Sequence, residues 1–256
     1  MSVETADQEP PKFRVGAALT RSFSVLFRNI APFGILALIF NAPVQLLPLF
    51  FDQTGGTPSG GFDLVSIMLL LANIVLGFML SATLVYGTVL ELRGGRANLL
   101  ECMSRGLSLL FPVIGVGLLV GILIALFSLL FVIPGIIAAV MLWVAVPAAV
   151  VERPGIGASL NRSIELTKGY RWPLFGLILI LLIINTAIGG AVGGVIGFGS
   201  GMVSGGVLTP GFLVAINLVV QAFSAALFAV ASAVVYHDLR IAKEGASIDE
   251  IAAVFD

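Results

Sequence analysis

The sequence predicts an all-α integral membrane protein with six transmembrane helices, arranged as three repeats of an interfacial amphipathic helix plus a transmembrane hairpin. Three observations carry that prediction. The composition is too apolar for a soluble domain, the apolar runs are long enough to cross a bilayer, and an even number of crossings puts every cation on one side. Hydrophobic residues make up 59% of the chain and charged ones 11%, against about 45–50% and 25% in soluble domains. A crossing helix needs about 20 mostly apolar residues. Six stretches qualify: residues 31–51, 64–90, 112–132, 135–151, 172–193 and 211–236.

The first twelve residues are polar and acidic and read as a disordered tail. They lack an apolar run behind a basic start, so the first span is expected to act as its own insertion signal. A helix then precedes span one. At about 100° per residue Leu19, Phe23, Leu26, Phe27 and Ile30 share one face, and Arg14, Arg21 and Arg28 the opposite one. That is the pattern of a helix lying in the headgroup plane. Span one carries Asn41 and Gln45 a turn apart, and Pro43 and Pro48 predict a kink with room for a cavity. Span two carries Asn73.

The second unit begins with an apolar stripe of Leu99, Met103, Leu107 and Leu110, with Glu101 and Arg105 opposite as an expected i,i+4 ion pair. Its apolar stretch would run about 60 Å as one helix. The sequence "VIPG" at 132–135 is therefore read as the turn of a hairpin whose second arm is short. The third unit opens on "VERPGIGASLNRSIELTKGYRWP", a surface helix between Pro154-Gly155 and Gly169, with Trp172 marking the membrane interface beside Lys168 and Arg171. Asn185 lies in span five, and Asn217 and Gln221 in span six. Glycines 189, 193, 197, 201 and 205 form either a close-packing helix face or a flexible outer loop. Next to the last span, His237 is read as a capping or interfacial residue. Ser247 and Glu250 have capping-box spacing, predicting a short helix in a tail over residues 241–256.

Residues 16–39 and 157–180 align at nine positions, including Gly16/Gly157, Ala17/Ala158, Leu19/Leu160, Arg21/Arg162, Ser22/Ser163 and Pro32/Pro173. Residues 98–112 form a fainter copy, with Arg105 in the place of Arg21 and Pro112 opening the span. The repeats are placed at about 13–93, 97–152 and 157–240 within a membrane domain over 13–240. With six spans all 13 Lys and Arg residues lie on one face, so the positive-inside rule puts both termini in the cytoplasm of a bacterial inner membrane protein.

Chemistry-bearing residues are sparse. One cysteine and one histidine leave no thiolate or imidazole metal cluster, and no cofactor is expected. Nucleic-acid binding has no basic platform to support it. No ionisable side chain lies near the middle of a span, which argues against a proton relay.

The "VIPG" turn followed by Trp143, "VVE" at 150–152 and "SLNRSIELTKGYRWPLFG", with the closing "YHDLRIAKEG" at 236–245, resembles the membrane domain attached to some bacterial glycerophosphodiester phosphodiesterases. Related uncharacterised six-span bacterial membrane proteins share the pattern. The resemblance covers most of residues 13–245. In those enzymes the chemistry belongs to a separate soluble barrel, for which this chain is expected to have no room, so the resemblance implies the membrane fold and not the phosphodiesterase activity.

The expected function is that of a non-catalytic scaffold or a component that engages lipids or a partner. Arg21, Arg105, Arg162, Lys168 and Arg171 are its candidate contacts to anionic headgroups, a protein partner or a second copy. The alternative is a transporter or channel for a small neutral or amphipathic molecule, with Asn41, Gln45, Asn73, Asn217 and Gln221 along its path. A membrane-embedded enzyme would need Glu152, Glu165 and His237 to converge in one pocket.

Overall fold

A computed structural model describes residues 13–53, 64–95, 98–204 and 210–245. The expected N-terminal tail, Arg96, and the capping box at Ser247 and Glu250 lie outside the described residues. All regular structure among the described residues is helical. Among the described residues five helical stretches are long and apolar enough to cross a membrane, or six if the bent pair at the start counts as one span.

Helix α1, Val15–Arg28, meets α2, Ile30–Gln53, at a bend of 82°. Asn29 forms the corner: its backbone leaves helical geometry (φ −112, ψ 27), and its amide side chain and N–H both donate to Val25 O at 3.1 Å. Pro32 is the third residue of α2, where the missing N–H costs nothing because the first-turn donors have no intrahelical acceptor. The same local chemistry recurs. Helix α4, Leu99–Ser108, leads through Leu109 into α5, Leu110–Leu130, whose third residue is Pro112. Helix α8, Ile156–Thr167, leads through Gly169 (φ +91) into α9, Arg171–Ser204, whose third residue is Pro173. Between these elements lie α3, Leu64–Leu92, α6, Val132–Leu142, and α7, Ala145–Val151. Helix α10, Pro210–Glu244, closes the described chain.

Two expectations need correction, and two other features take a definite form. The hairpin turns at Phe131 (φ −157, ψ 144), ahead of "VIPG", and Pro134 and Gly135 occupy the first turn of α6. Gly135 is there for packing: a Cβ on it would lie 2.0 Å from Ser128 Oγ and 2.9 Å from Ser128 Cα. Helix α2 runs unbroken through Pro43 and Pro48, and a sharp bend of the chain lies at Asn29. The glycine-rich segment is helical as far as Ser204. Gly205 of the expected stripe lies outside the described residues, and a Cβ built on Gly189 or Gly193 would meet no side chain of another described element within 4 Å. Finally, Glu101 accepts a hydrogen bond from Tyr86 Oη at 3.0 Å and makes no ion pair with Arg105.

Helix α10 is the centre of the bundle, packed against α1, α2, α3 and α9. Its small residues allow that approach. Ala226, Ala231, Ala233, Val230, Val234 and Val235 are all at most 2% exposed, as close-packed small faces in membrane bundles require. Apolar side chains near the α5–α6 turn are by contrast open, with Leu129 83% and Phe131 72% exposed.

Candidate functional site

The Arg-Ser pairs of the aligned segments carry out parallel tasks. Arg21 Nη1 forms an ion pair with Asp238 on α10, and Ser22, fully buried, donates to Ala18 O at 2.7 Å. Arg162 Nε binds both oxygens of Glu152 at 2.9 Å, its Nη2 pairs with Glu244 on α10, and buried Ser163 donates to Met141 O at 2.7 Å. In the fainter copy Gly106 follows Arg105. Gly106 is also buried, and a Cβ on it would lie 2.1 Å from Thr83 Oγ1. A small residue in the packed interface next to an arginine at its edge is thus common to all three short helices.

The ion pairs gather the charged segments at one end of the bundle. Besides those of Arg21 and Arg162, Arg28 pairs with Glu91 at 3.1 Å and Arg240 with Glu244 at 2.9 Å, and Lys243 donates to Glu165 O. Tyr236 Oη donates to Glu152 Oε1 at 2.5 Å, so α7, α8 and α10 share one network. Burial tends to lower the pKa of Arg162, but the hydrogen bonds and charges of Glu244 and Glu152 outweigh it and hold the pKa above the usual guanidinium value. Cys102, on α4 and fully buried, has its thiol pushed up to about 11, first by burial and then by the charge of Glu101.

The five predicted cation contacts therefore fall into two groups. Arg21 and Arg162 are committed to carboxylates within the chain. Arg105, Lys168 and Arg171 are exposed and form no ion pair among the described residues.

The amides divide as well. A cavity of about 590 Å³ lies within the bundle between α2, α3, α5, α6, α9 and α10, with Asn41 and Asn73 on its wall; Gln45, Asn217 and Gln221 do not line it. Ser81, Ser232 and Trp143 also line it, and sequence reasoning did not single these out for such a role. Asn41 donates Nδ2–H to Ala37 O at 2.7 Å, leaving its carbonyl oxygen free to accept from an occupant. Ser232 turns its hydroxyl back to Ala229 O at 2.9 Å. Gly77 and Gly121 face this space with nothing within 4 Å of a built Cβ. Among the described residues no Lys, Arg, Asp, Glu or His lines it.

Toward the charged end the helices pack closely. Leu84, Val85 and Thr88 on α3, Ala148 on α7, and Ala233, Val234 and Val235 on α10 are all fully buried between the cavity wall and the ion pairs. The three residues that an embedded enzyme would need have separate partners: Glu152 is held by Arg162 and Tyr236, Glu165 offers its backbone carbonyl to Lys243, and His237 Nδ1 lies 3.6 Å from Asp238. No hydrogen bond or ion pair links them among the described residues. No family model, curated protein or solved structure matches this chain.

Proposed function

We propose that this chain is a non-catalytic, lipid-engaging protein of the bacterial cytoplasmic membrane that holds a neutral amphipathic molecule within its helical bundle. The observation that carries this reading is the partly open cavity with largely apolar walls, the two amides Asn41 and Asn73, and no charged residue among the described residues that line it. Its volume lies within the range of about 300–1,000 Å³ typical of small-molecule sites. Surrounded by spans, such a space favours hydrocarbon, and the amides favour a hydroxyl, ester or amide group over a phosphate, which would need a cation. The three-repeat organisation, with a short basic helix before each hairpin, belongs to the same proposal. So do cytoplasmic placement of the charged end and of both termini, and the resemblance to the phosphodiesterase-associated membrane domain. The recurrent proline at the third position of α2, α5 and α9 supports the repeat.

A transporter for a small amphipathic molecule is the second reading, favoured by Asn41 and Asn73 facing one space. It requires the packed layer at Leu84, Ala148 and Val234 to open. Filling the cavity tests the binding reading: Gly77→Leu with Gly121→Leu meets no backbone obstruction. The expected result, read by native mass spectrometry after mild detergent extraction, is loss of co-purified neutral lipid from a folded protein. Retention of the same lipid in the double variant refutes the cavity as its site.

A further inference from the structure

We infer that the crevice between α6 and α9 is a binding site for an anionic phospholipid, with an acyl chain along the α6 wall and the headgroup phosphate held by Arg171. This deepens the lipid-engaging reading but uses a different surface from the central cavity, so the two stand or fall separately. The crevice has a volume of about 480 Å³; Ile133, Ile136, Ile137 and Val140 of α6 form one side, Trp172 and Phe175 of α9 the other, and Arg171 is the one charged residue among its lining.

Charge complementarity identifies the occupant. Arg21, Arg28, Arg162 and Arg240 all pair with carboxylates of this chain. Arg171 has no such partner among the described residues, yet it is the first residue of α9 and borders an aliphatic groove. A guanidinium in that position calls for an anion, and its fork of donors matches phosphate oxygens. Lys168, three residues earlier, is exposed and also unpaired, which adds a second cation near the headgroup. Trp172, 83% exposed and edge-on to Phe175 at 6.3 Å, marks the depth at which apolar chain gives way to headgroup. The four aliphatic side chains of α6 offer the opposite wall no hydrogen-bonding group, so the groove suits an acyl chain and not a polypeptide backbone.

The protein's two tryptophans separate the sites, since Trp143 lines the central cavity and Trp172 the crevice. The full chain with Trp143→Phe, reconstituted in phosphatidylcholine vesicles, would be titrated with brominated phosphatidylglycerol or, separately, brominated phosphatidylcholine. Trp172 quenching is expected to favour phosphatidylglycerol about fivefold, the equivalent of about 1 kcal/mol for one arginine near a membrane surface. Arg171→Ala is expected to remove that preference and Arg171→Lys to keep part of it. Val140→Phe, which narrows the groove, is expected to lower quenching by both lipids. Equal quenching by the two lipids overturns the inference, as does a preference that survives Arg171→Ala or quenching untouched by Val140→Phe. Loss of the preference on adding soluble glycerol phosphate also overturns it, because the site would then take a free anion. Trp143 quenching in a Trp172→Phe chain reads the central cavity alone and is expected to ignore Arg171→Ala.

Discussion

Replacing Arg162 tests the network that joins α7, α8 and α10. Arg162→Ala removes two 2.9 Å contacts to Glu152 and the pair with Glu244, and leaves the two carboxylates near each other without the cation between them. The side chains of Arg162, Glu152 and Glu244 are 23%, 22% and 33% exposed. Breaking a fully buried pair costs about 3–5 kcal/mol, and exposed pairs contribute up to about 1. Partial solvent access places the expected loss between, at about 2–3 kcal/mol. The assay is equilibrium unfolding in mixed detergent and dodecyl sulfate micelles, run as a double-mutant cycle with Glu152→Gln, which keeps an oxygen to accept from Tyr236. A coupling of about 1–2 kcal/mol is expected for directly bonded partners. Additive effects, or a loss below about 0.5 kcal/mol for Arg162→Ala, refute the network as a source of stability.

Cys102 is expected to resist maleimide in the folded protein at neutral pH and to react on unfolding; ready modification of the native state would contradict its burial. Because burial pushes its pKa up to about 11 from about 9 for a solvated thiol, the native state keeps a proton that the unfolded state releases. Stability is accordingly expected to fall as pH rises from about 9 to 11, and a Cys102→Ala chain is expected to lose that component of the pH dependence. With this thiol silent, Arg93→Cys and Arg153→Cys should label from the same side of the membrane, and labelling from opposite compartments sinks the six-span topology. Gly106→Val places a branched side chain where a Cβ would already be 3.1 Å from Thr83 Cα. It is expected to destabilise by about 1–3 kcal/mol, measurable in the same micelle unfolding assay.

The helical membrane character was legible in the sequence because it depends on local quantities. A run such as residues 110–130 must satisfy its backbone hydrogen bonds internally wherever it sits in a bilayer, and a proline three residues into a helix acts through its own missing donor. The recurrence of Arg-Ser was also visible. Its use was not, because Asp238 and Glu244 are 217 and 82 residues from the arginines they bind, and chain separation carries no signal of which carboxylate will meet which guanidinium. The amides met the same limit: Asn41 and Gln45 are a helical turn apart, but only Asn41 faces the cavity.

Sequence by itself determined which segments are apolar helices, where prolines mark their first turns and how the cations group, since each follows from neighbouring residues and their hydration. Tertiary structure alone decided that α10 is central, that Arg21 and Arg162 are consumed in ion pairs while Arg171 meets no carboxylate among the described residues, and that Asn41, Asn73, Ser81 and Ser232 border one space. Those outcomes depend on how helix faces rotate against one another, and in an apolar solvent that rotation is set by side-chain packing and polar contacts between distant segments.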